Sequence, residues 1–500
     1  MRRVRGMTER TSSTSDLGAA DAIVVGAGPN GLAAAVTLAR AGLDVLVVER
    51  SSTIGGGARS AELTLPGFVH DVGSAVPPLA LASGFFRRFE LDRRIELRVP
   101  EASYGHPLDG GRAAVAWRDL DRTADALGVD GPAWRHLFAP LVARAQEVAQ
   151  FTGSTLLQLP PHLRTAVNFG LRALEQGSPL WGARFREEAA PALLTGVAAH
   201  SIQPMPSLGT AGVALSLGTA AHAAGWPIPV GGSQAIADAL ADDLRAHGGR
   251  IVTGVQVDSL AELPRSQVVL LDTSPEALID IAGEVLPDAY RRRLEGYRYG
   301  NGVAKVDYAL DGPVPWAAAD LRSVPTLHLG GSREEIAYGE LEVAAGRHAT
   351  SPYVLVAQPT VIDGTRAPSG KHTLWAYTHV PAGSTLDPTE AVTRQIERFA
   401  PGFRDVIAAS AASSAVQMEH GNPNYLGGDI AIGEPTLVQL AARPVLSREP
   451  WRTPVAGLYL CSSATPPGPG VHGLAGAYAA RSALRHDFGI HRLPYLGVGR

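Results

Sequence analysis

The chain has 500 residues, 45% of them apolar and 18% charged, with a net charge of −4. This apolar fraction excludes a disordered chain, and the length exceeds one ordinary core at roughly 150 residues per domain. No basic block follows the first five residues, which excludes a nucleic-acid surface.

Cys461 is the sole cysteine, so the chain has no internal disulfide, no CxxC redox pair and no cysteine-based zinc site. Residues 1–20 are basic, then rich in Ser and Thr, and contain no apolar run of a secretory signal. They are expected to form a disordered tail, with Met7 an alternative start to Met1. No window reaches about 18 uninterrupted apolar residues, so no spanning helix is expected.

Residues 22–25 (AIVV) read as a buried strand, followed by Gly26-Ala27-Gly28-Pro29-Asn30-Gly31. Residues 32–41 form an Ala/Leu-rich helix ending at Gly42, and residues 44–48 a second strand closing on Glu49. Strand, glycine turn, helix, strand and acidic residue together make a dinucleotide fingerprint. Gly26 permits the tight turn, Gly28 lets the backbone approach a pyrophosphate, and Gly31 lets the helix pack on the sheet. The helix N-terminus supplies N–H donors and partial positive charge, and Glu49 accepts hydrogen bonds from a ribose. A second cluster follows, Arg50 to Arg59 with Gly55, Gly56 and Gly57. NAD does not require it. It suits a flavin dinucleotide, with Arg59 near the pyrophosphate. Residues 66–74 lead the chain back toward the site at Ser74.

Residues 85–225 read as mostly helical, with helices over 134–151 and 171–194, the latter broken at Gly177, Pro179 and Gly182. Residues 201–225 are almost uncharged and suit either plain core or the wall of an apolar substrate tunnel. Beyond Pro229 a helix is predicted over 235–247 and a strand over 251–257. A buried strand over 268–271 runs into Asp272-Thr273-Ser274-Pro275. Strands follow over 303–310, 353–358 and 375–380. Near the C-terminus, a strand over 457–461 leads through a Gly/Pro-rich turn into a helix over 473–484. This second helix N-terminus would face the electron-rich end of a flavin ring and stabilise its reduced form.

These segments together resemble the phytoene desaturase-related branch of FAD-dependent oxidoreductases over residues 21–486. Within it the chain is most similar to the group named pyridine nucleotide-disulphide oxidoreductase domain-containing protein 2. That likeness rests on Lys305-Val306-Asp307-Tyr308-Ala309-Leu310, Pro315-Trp316, Gln358-Pro359 and residues 370–377 (GKHTLWAY). The resemblance implies an α/β fold: a Rossmann-like FAD-binding domain of the flavin amine oxidase and phytoene desaturase type, with a helical insertion and a sheet-bearing substrate domain. The expected division is 21–84, 226–299 and 450–490 for FAD, 85–225 for a helical substrate- or membrane-facing insertion, and 300–449 for the sheet-bearing domain.

The resemblance also implies that Val255 meets the adenine end through its backbone and that Gly470, Val471, His472 and Gly473 lie beside the isoalloxazine. It adds Thr273 and Ala464 to the expected cofactor contacts. Pro466 and Pro469 depart from many relatives in that loop. Lys305 is similar in context to a lysine that holds a water near flavin N5 in flavin amine oxidases; an ion pair with Asp307 is the alternative. His472 is expected either to hydrogen-bond flavin or substrate or to support the loop behind them. Tyr377, His379 and His420 are expected to be structural. No aromatic cage residue stands at Gly468-Pro469-Gly470, which favours a desaturase-like site over an amine-oxidising one.

The resulting expectation is hydride transfer from an apolar substrate to FAD, with C–C desaturation preferred and oxygen or a quinone-like acceptor taking the electrons. Alternatives are a redox-neutral double-bond isomerase, an amine oxidase and a non-catalytic flavin-bound protein. No metal site and no nucleic-acid partner are expected. The protein is expected in the cytoplasm or peripheral to a membrane.

Overall fold

A computed structural model describes residues 17–499. The expected tail through residue 16 and the choice between Met1 and Met7 lie outside these. Residues 17–20 are tied down: Arg250 donates to the Leu17 carbonyl (2.7 Å) and the Ala20 amide donates to Arg265 O (3.2 Å).

Five short parallel strands form the first sheet, in the order Leu458–Leu460, Val268–Leu271, Ala22–Val25, Val45–Val48 and Arg250–Val252. Their near-continuous apolar runs suit a sheet covered on both faces. Alternate residues serve opposite layers. Ala22, Val24, Val45, Val47, Val268 and Leu270 pack under the helices Pro29–Ala39, Gln234–Ala246 and Leu474–His486. Ile23, Val25, Leu46, Val48 and Leu271 face Leu278 and Ile281 of Pro275–Ala282 and Tyr290 and Leu294 of Asp288–Glu295. Pro29–Ala39 and Leu474–His486 cross so closely that a Cβ on Gly476 would stand 1.8 Å from the Asn30 carbonyl oxygen.

The second sheet has seven strands, in the order Ile407–Ser413, Gly302–Leu310, His372–Val380, Val354–Ala357, Thr326–Leu329, Ala102–Leu108 and Arg112–Trp117. Register sets its two faces. Lys305 pairs with Tyr377, which pairs with Leu355; Trp375 pairs with Ala357. With period-two alternation these side chains share one face. On the other face Val306, Val354, Val356, Leu374 and Ala376 pack with Val392, Ile396 and Phe399 of Thr389–Phe399.

Three local departures from the sequence reading have physical causes. The stretch read as mostly helical opens with a hairpin, Ala102–Leu108 and Arg112–Trp117, turning at Asp109-Gly110-Gly111. It supplies the edge of the second sheet. The helix read over 134–151 is two, Gly131–Val142 and Ala145–Thr152. The break is at Arg144, whose backbone leaves the helical region at φ −129° and ψ +32°; Pro140, inside the first helix, has no N–H for the His136 carbonyl, and Arg172 donates to that oxygen instead (2.9 Å). The strand read over 251–257 stops at Val252, because Gly254 turns at φ +73° and the Val255 amide donates to Glu49 O (3.0 Å).

Candidate active site

The two glycine-rich turns, far apart in the chain, open into one cavity of about 1590 Å³. Gly26, Gly28, Pro29 and Asn30 line one region, and Gly470, Val471 and His472 another. Glu49, Arg50, Gly56, Gly57, Arg59, Ser74, Val255 and Thr273 also reach the wall, as does Lys305 from the second sheet. Gly31, Gly55 and Ala464 do not. Gly31 packs inward, where a Cβ would stand 2.1 Å from Gly26 O. Gly55 donates its amide to Ala27 O (2.8 Å), and Ala464 is buried in the core.

The cradle has the shape of a dinucleotide seat. Gly26 turns at φ +103° against Asp272, and a Cβ on Gly28 would meet Asp272 Oδ2 at 2.7 Å. The second cluster lies on the first, since a Cβ on Gly56 would approach Gly28 Cα at 3.0 Å. Asn30 Oδ1 is buried and unpartnered at the turn, open to a donor. Glu49 Oε2 accepts from the Ala27 amide (2.7 Å) and Oε1 from the Ser51 amide (2.8 Å), which fixes the carboxylate at the mouth of the turn. Arg59 holds the carbonyls of Gly56 (3.0 Å) and Gly421 (3.2 Å). The Val255 amide is already bonded to Glu49, so its carbonyl is the backbone group left for a ligand.

Sequence reasoning missed Asp272 as a member of the site. It lines the cavity, and its Oδ2 accepts from the Gly31 amide (2.9 Å), so one expected phosphate donor is already engaged. Burial, reinforced by the charge of Glu49, pushes its carboxyl up to about 7 against the pull of the Gly31 N–H. Its place after a buried strand was the available signal.

His472 is buried, and both ring nitrogens serve its own loop. Nδ1 accepts from the Leu474 amide (3.0 Å), which leaves Nε2 to donate to Gly468 O (3.1 Å). Burial lowers its pKa to about 4. It therefore shapes the turn, in line with the loop-supporting alternative, and neither ring nitrogen is free for flavin or substrate in this arrangement. Lys305 Nζ pairs with Asp307 Oδ2 (2.5 Å), as the ion-pair alternative required. Burial draws the ammonium down and raises the Asp307 carboxyl to about 6, each against their mutual attraction. His379 is buried against Glu340 (2.5 Å), whereas Tyr377 lines the cavity. His420 is exposed and contributes its carbonyl to Arg50 (3.4 Å).

Beyond the turns the cavity runs between the second sheet and the helical region. Val303, Leu355, Ala357, Trp375 and Tyr377 form the sheet wall, and Phe169, Leu217 and Trp226 stand among the residues across from it. The volume exceeds the roughly 300–1,000 Å³ of a pocket for one small molecule. It has room for an extended dinucleotide and a second, apolar molecule.

Residues 24–80 match a family model described as an NAD(P)-binding Rossmann-like domain. Pyridine nucleotide-disulfide oxidoreductase domain-containing protein 2 of Rattus norvegicus is 28% identical, across 93% of this chain and 93% of its own. Phytoene dehydrogenase of Streptomyces griseus is 26% identical across 77% of each chain. The chain is thus similar to these two oxidoreductases along most of its length. Its Rossmann-like fold agrees with that of the solved cyclohexylamine oxidase from Brevibacterium oxydans, which superposes with a TM-score of 0.60 at 18% identity, covering 94% of this chain and 98% of the oxidase. With one cysteine, Cys461, which is buried, the chain has no dithiol pair, whatever its rat relative's name suggests.

Proposed function

We propose that the chain binds FAD along the two turns and oxidises an apolar, lipid-like or polyene substrate by C–C desaturation. The observation that carries this reading is the single cavity that joins both turns and continues along the aromatic sheet wall. Residues 21–84, 226–299 and 450–490 hold the cofactor in this reading, and the remainder builds the substrate side. When bound, FAD would supply a hydride acceptor at N5 and a route for the electron pair to oxygen or a quinone-like acceptor, while the second substrate hydrogen leaves as a proton to water.

The protein's own part is to bind, orient and keep water out. The glycines admit the pyrophosphate to the backbone, and Glu49 presents its carboxylate to the ribose. Trp375 and Tyr377, edge to face with centroids 5.1 Å apart, offer flat apolar surface to an extended polyene. The single charge on the sheet wall is the Lys305 ammonium, held by Asp307. The pair leaves this wall without net charge, which suits an apolar substrate.

Purified protein should show flavin absorption peaks. Anaerobic bleaching by a panel of lipids and polyenes would then identify the electron donor. Substrate rearrangement without bleaching would move the reading to an isomerase. A folded, colourless protein that takes up no added FAD would refute it.

A further inference from the structure

Strand register orders the polar and apolar parts of the sheet wall. Lys305, Tyr377, Leu355 and His328 stand side by side on four neighbouring strands, and Asp307, Trp375, Ala357 and Thr326 form the row next to them. Both rows lie on the cavity face of the sheet. At one end the Lys305–Asp307 pair abuts His70, whose Nδ1 is 3.6 Å from Asp307, on the strand Val69–Asp71 that follows the second glycine cluster. The middle of the wall is apolar. Polar groups return at the far end, three strand spacings away.

There His200, in the turn Ala199–Ser201, lines the cavity and meets His328, Nε2 to Nε2, at 2.8 Å. Its Nδ1 has no hydrogen bond among the described residues. Thr326 also lines the cavity, and its buried Oγ1 is unpartnered. One proton lies between the two rings, and the nitrogens left over decide which ring donates it. His328 Nδ1 is buried without a partner, where an orphaned lone pair costs less than an orphaned N–H. His328 therefore donates from Nε2, and His200 carries its own proton on Nδ1. His106, packed with His328 against Gly196, makes the same choice: Nε2 donates to the Gly331 carbonyl (2.7 Å), and Nδ1 is left as an unpartnered lone pair. Burial keeps these rings neutral, drawing His200 down to about 3 and His106 to about 4.

Two donors without acceptors, the His200 Nδ1–H and the Thr326 hydroxyl, thus end an apolar wall. A pure hydrocarbon filling the cavity would leave both unpaired. A carboxylate would lose its hydration and gain no cation. An uncharged carbonyl oxygen has a lone pair for each donor. We propose that the cavity takes an apolar molecule bearing a carbonyl group, with the carbonyl oxygen seated at His200 and Thr326, roughly 14 Å across the sheet from Lys305. His200 selects this class of substrate, and His328 is a positioning residue that fixes its tautomer. The proposal rests on the apolar-substrate reading above, but not on which redox step the cavity performs.

The test is displacement of Nile red from the full chain by three probes of one length: tridecane, methyl undecyl ketone and the corresponding secondary alcohol. Folding is followed by circular dichroism and flavin content by absorption. Comparing variant with wild type for each probe cancels that probe's own transfer from water. His200→Phe should weaken the ketone about tenfold and the alcohol less, and should leave the alkane unchanged or tighter. Thr326→Val, which keeps the side-chain shape, should weaken the ketone severalfold and spare the alkane. Retained alkane affinity shows that the cavity still folds. No loss for the ketone in either variant, or equal losses for ketone and alkane, would overturn the proposal while leaving the apolar cavity standing. A larger loss for the alcohol than for the ketone would reverse the tautomer and overturn the carbonyl assignment. Failure of all three probes to displace the dye from wild type would overturn the apolar-substrate reading and this proposal together.

Discussion

Two carboxylates set the character of the dinucleotide seat. Glu49 gathers two backbone N–H groups, and its removal leaves both without an acceptor. Glu49→Ala should lower stability by about 1–3 kcal/mol and reduce FAD retained through gel filtration. Unchanged occupancy would show that its ribose role is wrong. Asp272 acts in the opposite sense. Its native carboxyl titrates near 7, against roughly 3.9 in an unfolded chain, so the native state binds the extra proton across that window. Stability therefore falls as pH rises from about 4 to 7, and the full cost persists above 7. Asp272→Asn keeps an acceptor for Gly31 but carries no charge. Its melting temperature should change less between pH 6 and pH 8 than that of the wild type, and its FAD affinity at pH 8 should be higher. Parallel pH profiles for the two proteins would remove Asp272 from this role.

At the scale of elements, the site depends on how two helices meet. Leu474–His486 can bring its turn to the first one because Gly476 lets the Asn30 backbone approach. Gly476→Ala should cost about 1–3 kcal/mol or more, read as a denaturation midpoint, because a backbone oxygen cannot move aside as a side chain can. Gly170→Ala, on a helix where an added Cβ meets nothing within 4 Å, should be neutral or slightly stabilising. Equal losses in the two variants would contradict the close-crossing explanation. The elements also show where sequence patterns mislead. Residues 102–108 are buried throughout and include Gly105, His106 and Pro107, so they show no alternation, although Asp109-Gly110-Gly111 was a hairpin signal. Pro140 was visible in the sequence, but the rescue of the His136 carbonyl by Arg172 depends on a neighbouring helix.

Across the whole molecule, both sheets and the helical region wall one cavity. A ligand that fills it is bound by the native state alone, since unfolding separates the two turns. Added FAD at about 100 times its dissociation constant should stabilise the apoprotein by roughly 2.7 kcal/mol. In a thermal scan the main transition should shift upward. A stable early transition that ignores FAD would mean that part of the chain folds apart from the cavity.

The dinucleotide half of the site was legible because its chemistry is local. A tight turn needs glycine, a helix start offers N–H groups, and strand alternation places Glu49 at the rim, all within one short stretch of chain. Residues 457–473 carried the same kind of signal. The neighbours of Lys305 and His472 were not legible in this way. Whether an ammonium finds Asp307, or an imidazole spends both nitrogens on its own loop, depends on which backbone and side chains burial brings within 3 Å. Asp272 shows the same limit: its identity is written in the chain, but its proton affinity comes from the low-dielectric space that the packed sheet and turn enclose.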